Sequence, residues 1–171
     1  MLKLGKILQG ISLSLVTVFC LLIFSAVFGL IPQSVLAQET TIDCNLPESI
    51  AITFLEAKCS ERLLDEPETF YRYYSQEEYK KGRYLTTDQY ALNTEVIQKL
   101  ALKQEWGNQA TMIMTVTLPQ GTTIYEGLAA PQTPSECYPG GGQQTFITDS
   151  KNPAIEWSEG TPITVAAFSC P

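Results

Sequence analysis

Apolar and polar positions along this chain change their spacing several times, and each change predicts a different element. Residues 11–31 form an apolar run without a charge, preceded by Lys3 and Lys6 and followed by Ser34-Val35-Leu36-Ala37. That order is the pattern of a secretory signal with cleavage after Ala37. The run of roughly 20 residues is also long enough to cross a bilayer, so an uncleaved N-terminal anchor is the alternative. Cys20 follows Phe19 rather than a small residue, which argues against lipid attachment there.

Beyond Ala37, residues 38–45 read as a polar lead. Residues 47–64 place Ile50, Ile52, Phe54, Leu55, Leu63 and Leu64 at spacings that predict one or two short helices, begun by Pro47. Residues 70–74 are aromatic and predict a strand, and Gly82-Arg83-Tyr84-Leu85 reads as a turn feeding a short strand. Thr87 or Asp88 is then the expected cap of a helix running to about Leu102, with Tyr90, Leu92, Val96, Ile97, Leu100 and Ala101 on its buried side. Residues 110–118 alternate Met112, Met114, Val116 and Leu118 against Thr111, Thr115 and Thr117; Ile113 breaks the polar face, so the middle of this strand is expected to be covered on both sides. Short strands are predicted at 122–125, 145–148 and 163–168, with a loop over 127–137. Together these elements predict an α+β domain, with N-terminal helices packed on a small, strongly bent, mainly antiparallel sheet.

Removal of residues 1–37 leaves 134 of the 171 residues, the size of a single domain (38–171). Cys44, Cys59, Cys137 and Cys170 remain, an even number in a chain addressed to an oxidising compartment, and two disulfides are the natural reading. Three connectivities are open; closeness along the chain favours Cys44 with Cys59 and Cys137 with Cys170. No Cys-x-x-Cys pair and no histidine are present, so a zinc site is set aside and no metal is expected.

Charge and composition narrow the chemistry further. All 18 acidic residues lie after Ala37, against nine remaining lysines and arginines, for a net charge of −9. A basic face for nucleic acid is therefore not expected. The missing histidine removes the usual serine and cysteine hydrolase arrangements. Catalysis must rest on carboxylates, amides, tyrosines and arginines.

The densest candidate is Tyr138-Pro139-Gly140-Gly141-Gly142-Gln143-Gln144. Three consecutive glycines lose much entropy on ordering, so the backbone there needs positive φ or a close approach to something; a ligand and a plain turn are both open. Upstream lie an aromatic segment with Arg72 and then Gly82-Arg83-Tyr84-Leu85-Thr86, and between them and the glycines stands Gly127-Leu128-Ala129-Ala130-Pro131. In this order the pieces resemble the NAD glycohydrolase domain of the tuberculosis necrotizing toxin type, within the wider group of ADP-ribosyltransferase-like toxin domains. The resemblance spans about residues 70–146. The Gly-x-x-Ala-Pro stretch of that family has one more residue here before its proline.

The resemblance implies cleavage of the bond between nicotinamide and ribose, with NAD or NADP as substrate and no further cofactor. It puts Gln144 in the catalytic position, where its amide can donate and accept hydrogen bonds. Arg83 is the first choice for holding the pyrophosphate and Arg72 the second, since a guanidinium meets phosphate oxygens with a planar fork. Tyr84 is a candidate for stacking on a base, and the N–H groups of Gly140, Gly141 and Gly142 are candidates for approaching phosphates or ribose. Glu126, Asp149, Glu156 and Glu159 are the carboxylates available to assist, and spacing selects none. The product would be secreted or periplasmic, with an inhibitor (immunity) protein as a possible partner and membrane contact only if the N-terminal segment is retained. An ADP-ribosyltransferase and a non-enzymatic, disulfide-stabilised binding module are the competing readings.

Overall fold

The computed structural model describes residues 44–170; the signal-type segment and most of the polar lead lie outside the described residues. The elements run α1 (Glu48–Ala51), β1 (Ser60–Leu63), β2 (Glu68–Tyr74), β3 (Tyr84–Leu85), α2 (Asn93–Lys99), β4 (Met112–Leu118), β5 (Thr123–Leu128), β6 (Gln143–Ile147), β7 (Glu156–Trp157) and β8 (Thr161–Pro162). They form two sheets whose strands pair antiparallel, one in the order β1-β5-β6-β3 and the other β2-β4-β7, with β8 also on β4. The α+β class expected from the sequence is the class observed.

The bend has a specific origin. Edge strands β2 and β3 meet through a single antiparallel bridge, in which Tyr71 N–H donates to Thr86 O at 2.8 Å and Thr86 N–H to Tyr71 O at 3.0 Å. The two sheets are therefore halves of one folded surface, joined at a seam of two main-chain hydrogen bonds.

Alternation in β4 places Met114, Val116 and Leu118 inward, where they meet Phe70 of β2, Leu85 of β3, Ile124 of β5 and Ile147 of β6. Burying each such side chain contributes about 1.5–3 kcal/mol, so this cluster anchors both halves. On the other face Ile113 is half-buried against Tyr73, Val96 and Ala110 while Thr115 is exposed, so the expected cover on both sides holds at Ile113 and not at Thr115. A second cluster packs Ala51 and Phe54, at and just past α1, on Tyr125 and Phe146. The disulfides join Cys44 to Cys59 and Cys137 to Cys170, with Cα atoms 4.8 and 5.5 Å apart.

Three expected elements come out differently. The helical region predicted over 47–64 stops early, because Glu56 and Ala57 take positive φ (57° and 54°) and turn the chain into β1, which pairs with β5. Helix α2 starts at Asn93 rather than at Thr87 or Asp88: its N-cap is Leu92, with no side-chain cap. Asp88 spends its carboxylate elsewhere, on Tyr90 Oη at 2.7 Å and the Gln143 N–H at 2.8 Å, while Tyr73 Oη takes the Tyr90 N–H. Residues 163–168 form no strand of their own; the tail is tied to the start of α2, with Asn93 N–H donating to Thr164 O and Ala166 N–H to Asn93 Oδ1.

Candidate functional site

The seam between the two sheets opens into a cavity of about 340 Å³. Strand β2 supplies Tyr71 and Arg72, β3 and the residue just past it supply Tyr84 and Thr86, and β6 supplies Gln144; the end of α2, the Trp106 turn and the loop at Ala130 close the rest. The volume is at the lower end of small-molecule sites, and the mainly apolar lining with a few convergent polar groups is typical of them. Among the described residues no carboxylate lines this cavity. Trp106, 52% exposed, and Tyr79, 41% exposed, stand among the lining aromatics and offer flat faces to an incoming ring.

Arg72 is the unusual group. Its Nη1 donates to Tyr84 O and its Nη2 to Tyr79 O, both at 2.9 Å, so the guanidinium spans from β2 to the β3 side of the seam. Among the described residues its Nε is the single buried side-chain polar atom without a hydrogen-bond partner. Burial, with no carboxylate paired to it, pulls its pKa down to about 10, which leaves it charged at neutral pH. A desolvated cation lacking a counter-ion is costly, and such an arrangement favours the arrival of an anion. Room for the group is made by Gly82: a Cβ there would lie 2.3 Å from Arg72 Nη2 and 2.5 Å from Cζ.

Gln144 is 8% exposed and lies in β6 opposite Gly127 of β5. Its Nε2 donates to Thr53 O and Thr53 Oγ1, both at 3.1 Å, in the segment just past α1. Its neighbour Gln143, at the start of the strand, is exposed. Tyr84 lines the cavity while its ring packs on Phe146, with centroids 5.1 Å apart.

The structure thus brings Gln144, Arg72 and Tyr84 to one cavity and leaves Arg83 and the glycines outside it. Arg83 is exposed, lies over the Phe146 ring at 5.2 Å, and lines a separate polar depression with Lys81, Asp149 and Lys151. The order of the two arginines expected from the sequence is reversed in space: Arg72 on β2 reaches across the seam to Tyr84 O and Tyr79 O, whereas Arg83, just before β3, lies over the Phe146 ring.

The three glycines answer to packing. Gly140 N–H donates to Gln98 O at 3.0 Å, Gly142 N–H to Lys99 O at 2.9 Å and Gly141 N–H to Ala129 O at 2.9 Å. Gly140 and Gly142 thus tie the loop to carbonyls at the end of α2, and Gly141 ties it to the Ala129 carbonyl just past β5. Gly140 and Gly141 have φ of 69° and 86°, and a Cβ on Gly142 would lie 2.5 Å from Tyr90 Oη. Their amide hydrogens are committed within the protein, so the expected approach to phosphate is not their role. The four carboxylates considered for assistance also lie off the cavity: Glu126, for example, binds Arg62 at 3.0 Å and Glu159 lies 3.7 Å from Lys80.

Sequence reasoning missed Thr53, Trp106 and the role of Gly82. Gly82 carried a partial signal, a glycine directly before the Arg83-Tyr84-Leu85 run; its reason, the room it leaves for the Arg72 guanidinium, is a contact of the fold. Thr53 carried none, since its position follows from a contact between residues 91 apart in the chain.

No protein-family model matches the chain, and no curated protein matches it significantly. Two solved structures share its fold. Tne2, solved in complex with Tni2, superposes with a TM-score of 0.56 at 14% identity, over 66% of this chain and 99% of that one. Rhs1-CT, solved in complex with its cognate immunity protein RhsI1, gives 0.52 at 18% identity, over 63% of this chain and 83% of that one. At such identities the likeness is one of fold.

Proposed function

We propose that this domain is an exported NAD(P) glycohydrolase that releases nicotinamide from the dinucleotide. The observation that carries the reading is the pairing of an uncompensated guanidinium, Arg72, with the carboxamide of Gln144 in one aromatic-lined cavity. The chemistry asks little of an acid. The C1′–N bond breaks with its electron pair leaving on nicotinamide, which departs as a neutral ring; water then forms the new C1′–O bond and gives up a proton to solvent. What the protein must do is hold the anionic pyrophosphate, orient the ribose and admit water, as in other glycosidic cleavages with oxocarbenium character. Arg72 supplies a fixed positive charge in a low-dielectric wall, where it acts more strongly on phosphate than in water. Tyr84, Tyr79 and Trp106 supply faces for the rings, and Gln144 contacts the ribose or the incoming water.

The shared fold with Rhs1-CT, whose structure includes a cognate immunity protein, supports a toxin-like role and an inhibitor protein as partner. The test is nicotinamide release from NAD and NADP by purified, oxidised residues 38–171. Turnover with all ADP-ribose free in solution is the expected result. Radiolabel left on an acceptor protein would make it a transferase, and absence of both release and NAD binding by calorimetry would leave a binding module.

A further inference from the structure

We infer that Thr53 is a positioning residue that fixes the polarity of the Gln144 carboxamide, so that its oxygen and not its nitrogen is the atom offered to a ligand. Gln144 Nε2 faces two oxygens, Thr53 O and Thr53 Oγ1, each at 3.1 Å. A main-chain carbonyl can only accept, so an amide turned the other way would set two acceptors against each other. The threonine hydroxyl offers no escape: its one proton goes to Ile50 O at 2.7 Å, which leaves Oγ1 as an acceptor as well. Thr53 O is itself held in place by the Ala130 N–H at 2.8 Å. Both hydrogens of the carboxamide are therefore spent on Thr53.

The other end of the amide is left for the cavity. Oε1 has no hydrogen-bond partner among the described residues, and it is not one of the buried polar atoms left unsatisfied, so it remains reachable where Gln144 lines the wall. An amide held this way accepts a hydrogen bond and donates none. Its complement on a ligand is an O–H or N–H donor, such as a ribose hydroxyl or an attacking water. The identity of that donor rests on the glycohydrolase reading above; the polarity of the amide does not.

The test reads the amide directly. In ¹⁵N-labelled protein the two Gln144 side-chain amide protons are expected to exchange with water at least about tenfold more slowly than those of exposed glutamines, before any nucleotide is added, and to keep that protection when NAD is added. Thr53→Val, which keeps the main-chain carbonyl but removes Oγ1, should speed the exchange of one proton, and Thr53→Ser should restore it. In the nicotinamide assay Thr53→Val should lower kcat several-fold with KM nearly unchanged, with Thr53→Ser again restoring the wild-type value. Amide protons that exchange freely in the unliganded protein, or that become protected only with NAD, would overturn the inference. A wild-type protein that releases no nicotinamide but protects both protons would sink the glycohydrolase reading and leave the polarity of Gln144 standing.

Discussion

Two arginines, ten residues apart in sequence, sit in opposite electrostatic situations. At the outer corner of β1 and β5, Arg62 binds Glu68 through Nη2 at 2.9 Å and Glu126 through Nε at 3.0 Å. Its hydrogen bonds to Glu68 and then Glu126 push its pKa further up, and Arg62 in turn holds the Glu68 carboxyl below the usual carboxylate range. At the seam, Arg72 has two carbonyl partners and no carboxylate, and burial pulls its pKa down. The first arrangement is complete without a ligand; the second is not. A satisfied ion pair reports on structure, whereas a desolvated cation in a cavity wall marks a place where something anionic is expected.

The contrast can be broken most severely at the seam itself. Arg72→Met should lower nicotinamide release by more than about a hundredfold, the scale of losing a main electrostatic contact in a transition state. Because it also removes an uncompensated charge, its thermal midpoint should stay close to wild type, and stabilisation by added NAD should vanish. Gln144→Ala should lower turnover by roughly a hundredfold with the nucleotide-induced stabilisation retained, which separates the amide from the cation. Gly82→Ala should act more mildly: the new Cβ evicts the guanidinium from its place, at a cost of about 1–3 kcal/mol in folding stability and about tenfold in turnover, read by urea titration and the same assay.

The smallest effect belongs to the outer corner. The Glu68 carboxyl has a lower pKa in the folded chain than in the unfolded one, so its contribution is complete above the ordinary carboxylate range and is lost as pH falls through the folded value. Glu68→Gln should therefore reduce the loss of stability between about pH 7 and about pH 3 by no more than about 1 kcal/mol, since the pair is partly exposed. Activity should not change. A large activity loss at Glu68, or none at Arg72, would reverse the comparison.

The sequence disclosed what repeats locally. The Met112, Met114, Val116, Leu118 alternation is legible because a strand with one buried face must show it, and closeness in the chain sufficed to pair the four cysteines. What was hidden depends on contacts made across the fold. Asp88 looks like a helix cap in isolation, yet tertiary partners at Tyr90 and Gln143 claim its carboxylate. The glycine triplet invites a phosphate, yet carbonyls of Gln98, Lys99 and Ala129 occupy its amides. Arg72 and Arg83 are equivalent as letters, and only the seam at Tyr71 and Thr86 decides which of them faces the cavity.

That seam has a mechanical consequence. Two main-chain hydrogen bonds and the reach of one guanidinium are what stitch the halves together beside the cavity. An anion seated against Arg72 would bear on the same side chain that clasps the far strand, so filling the cavity is expected to steady the join. Slower deuterium uptake at the Tyr71 and Thr86 amides when nucleotide is added would be its trace.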